Sequence, residues 1–149
     1  MVATWLEGID LVIKTLQDNW NRGNTNGIKP IIVDMAETAP ERGKRIDLKK
    51  HDYVFVFETA HNEETPEILY DFVTTRINIT LDARTMKSRK QQQLMENEIR
   101  RCVHLVRNGD GVNHDRMVYK TRTDLSDRTK FLFRTTFQVE VVIFAELIP

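Results

Sequence analysis

TTRINITLDARTMKSRKQQQLMENEIRRCVHLVRNG, residues 74–109, changes period once, and that change decides the fold. Its first part alternates. Ile77, Ile79 and Leu81 share one parity, and Arg76, Asn78, Thr80 and Asp82 share the other. Period two with one apolar parity reads as a strand with one buried face. The later part repeats near 3.6. Leu94, Met95, Ile99, Cys102, Val103, Leu105 and Val106 fall on one side of a helix. Arg89, Lys90, Asn97, Arg100, Arg101, His104 and Arg107 fall on the other. A strand feeding a long amphipathic helix is a core unit, and this helix has a basic outer face. Thr85 or Ser88 is placed to cap it, and Ser88 with Gln91 has capping-box spacing. Asn108-Gly109 is suited to end it, with glycine in a left-handed position.

Upstream, Thr4 and Glu7 have the same capping-box spacing and open a first helix. Trp5, Leu6, Ile9, Val12, Ile13, Leu16 and Trp20 form its apolar stripe, with Leu11 off the stripe. IKPIIVDM (28–35) reads as a first strand, at an edge because Pro30 lacks an N–H. Residues 36–51 read as a polar loop; within it Arg42, Lys44, Arg45, Lys49 and Lys50 stand against Asp47. Tyr53–Glu58 reads as a strand covered on both faces, because its apolar residues occupy both parities. Residues 59–71 carry Glu63, Glu64, Glu67 and Asp71 with no Lys or Arg, and Pro66 interrupts them before a short helical turn at 67–70.

Downstream, 108–115 is a loop, Met117–Asp124 a strand and 125–129 a turn. Lys130–Ala145 reads as one long strand with Phe131, Phe133, Phe137, Val139, Val141 and Ile143 on one parity. At roughly 3.3 Å per residue it would run about 50 Å, so a bend or pairing outside the domain is expected. The fold class is α+β: a mixed or antiparallel sheet of about five strands carrying two helices, in the order α-β-β-β-α-β-β.

A chain of 149 residues with 40% apolar and 30% charged side chains suits one globular domain spanning 1–149. No apolar run reaches the ~18 residues of a membrane span. The start, MVATWLEGID, lacks a basic segment and a cleavage site, so no signal peptide is expected. The single cysteine, Cys102, sits in an apolar helix stripe and reads as a buried reduced thiol; together these fit an intracellular compartment. Net charge is zero, yet residues 1–75 hold 13 acids and 8 bases while 76–149 hold 9 and 14. Halves of opposite sign suit contact between copies.

The phosphate-cradling glycine motifs and the nucleophile elbow are absent from the sequence. His51, His61, His104 and His114 lack metal-ligand spacing; His61 with Glu63 and Glu64 comes nearest, and reads as an acidic solvated loop. No cofactor and no metal are expected. Some metal-dependent nucleases share an α-β-β-β-α-β order, with an acid on the second strand and acid-x-Lys on the third. Glu58 and Asp82-x-Arg84 roughly occupy those places, but arginine stays protonated and is a poor base. Both acids therefore read as strand-end surface residues. A nucleic-acid-binding module using the basic face of 88–108 is the nearer alternative, although stacking aromatics do not interleave with the bases.

Taken together, the segments "KPIIV", "DYVFVFE", "TTRINITLDAR" running into "SRKQQQLMENEIRRCVHLV", and the closing "MVYKTRTDL" and "FLFRTTFQVEVVIF" resemble the tail-terminator and tail-completion (neck) proteins of long-tailed bacteriophages. The resemblance covers most of the chain and lies in element order, length and the strand-to-helix junction. It implies a structural virion protein, not an enzyme. Copies would form a ring, usually a hexamer, at the head-proximal end of the tail. The ring would end tail-tube growth and meet the head connector, with DNA passing through unread and no membrane involved. Assembly would take place in the host cytoplasm. The expected contact residues are Lys90, Asn97, Arg100, Arg101 and His104 on the helix, with Arg42, Lys44 and Arg45 in the loop. They would face Glu63, Glu64 and Glu67 of the next copy.

Overall fold

The period change at Thr85 is where the backbone turns from sheet to helix. In a computed structural model the chain is described over residues 8–38, 46–64, 72–109, 116–127 and 129–146. The elements are α1 (Gly8–Asn19), β1 (Ile31–Asp34), β2 (Tyr53–Glu64), β3 (Phe72–Thr85), α2 (Arg89–Leu105), β4 (Arg116–Asp124) and β5 (Phe133–Glu146). Short 3-10 turns follow α1 at Arg22–Thr25 and β1 at Met35–Thr38. The α-β-β-β-α-β-β order and the α+β class are as the sequence predicts.

The five strands make one mixed sheet in the order β1-β2-β3-β5-β4. β1 runs parallel to β2, and every other pair is antiparallel. Ile32, Val54, Val56, Ile77, Ile79, Leu81, Phe137, Val139, Val141 and Met117 share the face that meets the helices. α1 rests on β1, β2 and β3, and α2 rests on β3, β4 and β5, so the helices lie side by side on that face.

β5 corrects the expectation of a bend or an outside partner. It stays paired to β3 over its full length, from Phe133 opposite Thr85 to Glu146 opposite Phe72. A strand this long is satisfied because its neighbour is equally long. Phe131 is a second correction. It precedes β5, sits in the left-handed region at φ 51°, and is 70% exposed instead of in the core.

The stripe of α1 is rotated from the predicted one. Gly8, Leu11, Val12, Thr15 and Leu16 face inward, and Leu11 is only 3% exposed, while Ile9 and Ile13 sit at the margin. Gly8 explains the rotation. A Cβ there would lie 2.9 Å from Ile77 Cγ2, so only glycine lets the helix start this close to β3. The predicted cap at Thr4 and Glu7 lies outside the described residues.

Ser88 caps α2, accepting from the Gln91 N–H at 3.0 Å. The capping box is only half made. The Gln91 side chain turns inward, donating to Asp52 Oδ2 and to the Thr25 carbonyl. α2 ends at Leu105, which is exposed instead of buried, with Val106 as its C-cap; Gly109 is left-handed at φ 79° as predicted but lies three residues past the cap, beyond the C′ position expected for it.

Candidate functional site

α2 carries the basic face, so its side chains decide what that face can do. Lys90, Asn97, Arg100, His104 and Arg107 are exposed along it. Arg101 is not available in the same way. Its guanidinium binds Glu98 on the same helix and donates to the Asn19 carbonyl at the end of α1. Glu98, with a side chain only 1% exposed, also accepts from the Asn21 N–H at 3.0 Å and the Asn24 amide at 2.7 Å. Burial pushes the Glu98 carboxyl up, but the Arg101, Asn21 and Asn24 hydrogen bonds outweigh it and hold it below the usual range. The same bond raises Arg101. Beside them Cys102 is buried, and burial, with the Glu98 charge, pushes its thiol up to about 12. It is inert at neutral pH.

Two more polar clusters tie α2 down. At its start, buried Asp52 accepts from Thr85 Oγ1 at 2.7 Å, Lys87 Nζ at 2.8 Å and Gln91 Nε2 at 3.2 Å. Along its β4 side, Gln92 donates to Thr135 Oγ1, Thr135 donates to Glu96, and Arg122 of β4 also pairs with Glu96. These groups hold the molecule together and are not free to meet a ligand.

The opposite face of the sheet holds the correction to Asp82. It is fully buried instead of at the surface, with Arg134 and Arg84 both bound to its carboxylate. The Arg84 guanidinium also lies 4.9 Å from the Phe55 ring centre, and Phe55 stacks on Tyr53 at 5.4 Å. Glu58 stands opposite Ile79, whereas Asp82 stands opposite Phe55. Residues 79 and 82 have opposite parity, so Glu58 and Asp82 lie on opposite faces of the sheet. The constellation a nuclease reading requires is not assembled. Among the described residues no group of three His, Cys, Asp or Glu is placed to hold a metal ion.

At the C-terminal end of α2 the surface is concave. A hollow of about 200 Å³ lies between Val103, His104, Arg107 and Asn108 of the helix end and Arg116–Tyr119 of β4. Arg100 covers the Tyr119 ring at 5.3 Å, and Tyr119 Oη is buried with no hydrogen-bond partner among the described residues. The hollow opens at the edge strand and collects His104, Arg107 and Arg116.

Acids gather on the other side of the molecule. β1 covers β2 only from Tyr53 to Val56, so among the described residues the outer half of β2 is itself an edge. There His61 Nδ1 lies 3.1 Å from Glu58, and Nε2 lies 3.6 Å from Glu63. Within one chain the structure therefore keeps Glu63 apart from the predicted basic residues of α2, with the width of the sheet between them. Arg42, Lys44, Arg45 and Glu67 lie outside the described residues, as does the side chain of Glu64. The exposed apolar residues Ile31, Ile46, Leu125 and Phe131 were not among the predicted contacts. Comparison with protein-family models and with curated proteins finds no match to this chain.

Proposed function

We propose that this chain is a structural ring protein of a phage-like tail or neck. Copies associate head to tail, close into a ring, and end the tail tube where it meets the head connector. Six copies is the number the family resemblance implies. DNA passes through the ring without specific contacts, and the chain performs no chemistry of its own.

The observation that carries this reading is the unlikeness of the two sheet edges. The β4 edge, with the end of α2, presents His104, Arg107 and Arg116; the β1–β2 edge presents Glu58 and Glu63. Unlike edges on one subunit suit heterologous contacts, the kind that close into rings. The element order of the resembled proteins supports the same reading. Co-expression with a tail-tube protein of the same genome tests it. Tubes of bounded length with a ring at one end are expected in electron micrographs. Tubes that grow unchecked in the presence of the protein contradict it.

A second reading has one observation in its favour. Lys90, Arg100, His104, Arg107 and Arg116 are all exposed on the α2–β4 side, as a phosphate-binding surface requires. It expects DNA affinity that falls steeply with salt, with a slope reduced by Arg100→Ala and Arg107→Ala. Binding that these substitutions leave unchanged removes it.

A further inference from the structure

Register fixes where the two edges stand relative to each other. Ile31 is opposite Tyr53, Tyr53 opposite Arg84, and Arg84 opposite Arg134, whose carbonyl accepts the Leu125 N–H. Ile31 and Leu125 are thus the two ends of one row across the sheet. Farther along, Arg116 is opposite Val142, Val142 opposite Arg76, and Arg76 opposite Asn62, the neighbour of Glu63. Arg116 and Asn62 end a second row, roughly 30 Å from the first at about 3.4 Å per residue, and Glu63, one residue beyond Asn62, is on the face of the sheet that carries α2.

Each row joins complementary groups. The first has exposed apolar residues at both ends. Ile31 stands at one end, with Ile46 held near it by the Asp47 N–H bound to Tyr53 Oη. Leu125 and Phe131 stand at the other. The second row has the basic hollow at one end and the Glu58–His61–Glu63 cluster at the other. A neighbouring copy displaced along the rows, without sliding along the strands, brings apolar to apolar and acid to base at the same time. Contact through a two-fold axis would instead set each edge against itself, so the acids of one edge would not meet the bases of the other.

We propose that a second copy of this chain seats its β1–β2 edge against the β4 edge, with Glu63 at the hollow beside Arg107, and Ile31 and Ile46 against Leu125 and Phe131. The proposal rests on the ring reading and names its contact. Glu63 is exposed, and its carboxylate lies 3.6 Å from His61 Nε2, the contact it makes among the described residues. The hollow gains an acceptor near Tyr119 Oη, which is buried with no hydrogen-bond partner among the described residues. Phe131 supplies the apolar anchor, held outward by its left-handed backbone.

Charge exchange tests the contact. Arg107→Glu and Glu63→Arg each set like charges together, and each is expected to raise the assembly concentration about tenfold or more. Mixing the two variants in equal amounts lets them alternate around a ring. At one contact the unaltered Glu63 of one variant meets the unaltered Arg107 of the other. At the next contact the two substituted side chains meet with their charges exchanged, so every contact again pairs acid with base and assembly is expected to return. Both side chains are exposed, and circular dichroism and melting curves are expected to match the original chain. Phe131→Ala is expected to weaken assembly about tenfold as well. If the original chain assembles and the single variants assemble equally well, the contact is wrong and the ring reading stands. Variants that assemble poorly and fail to complement each other likewise overturn the contact. If the original chain never assembles, both fall.

Discussion

Glu98 is the residue on which the joint between the two helices depends. Its folded-state pKa lies below the ordinary value. It therefore adds stability above the unfolded carboxylate pKa, about 4.3, and that contribution is lost as pH falls through the folded value. The melting temperatures of the original chain and Glu98→Gln are expected to differ clearly at pH 7 and to converge below pH 4. A constant difference across that range would show that the charge is not what Arg101, Asn21 and Asn24 hold. Asp82 is a sharper case, because two arginines surround one buried carboxylate. Asp82→Ala leaves both without their partner, and a loss of about 3–5 kcal/mol in urea unfolding is expected. Phe131 works in the other sense. A left-handed backbone costs a bulky residue about 1–2 kcal/mol, of which glycine returns all but about 0.5–1. Phe131→Gly should leave the subunit as stable or slightly more so, while weakening assembly.

At the scale of elements, the closest contact is that of α1 with β3. Gly8→Ala puts a methyl 2.9 Å from the branched carbon of Ile77, which cannot swing away. A loss of about 1–3 kcal/mol is expected in thermal unfolding, despite the better helix propensity of alanine. An unchanged melting temperature would mean that α1 can shift outward at no cost. The element order was legible in the sequence because burial repeats with backbone geometry, at two residues in β3 and near 3.6 in α2. The buried polar residues were not legible. Asp82 read as a surface residue and Gln91 as half of a capping box, and nothing in the sequence singled out Glu98, whose partners Asn21 and Asn24 stand 77 and 74 residues away. Leu11 was misplaced because the inward direction of α1 is set by Gly8 against a strand far along the sequence. The turn at Phe131 escaped notice because its parity continued that of β5, although its backbone does not.

At the scale of the whole molecule, the charge asymmetry between the two halves of the sequence becomes a spatial one. Several charges that seemed available are used inside the subunit, as Arg101, Arg122, Glu96 and Glu98 show. What remains outside is separated by the width of the sheet, basic at β4 and acidic at the outer half of β2. Of the predicted contact residues, the sequence correctly placed Lys90, Asn97, Arg100 and His104 on an exposed helix face. It could not show that the complementary acids lie on the far edge, because that depends on β5 inserting between β3 and β4. An edge-to-edge contact of this kind has a clear signature in solution. Native mass spectrometry across a wide range of concentration, at low salt, tests it most directly. The account predicts monomer giving way to one closed stoichiometry, weakened as salt rises. A chain that stays monomeric throughout, or that stops at a two-fold dimer, contradicts it.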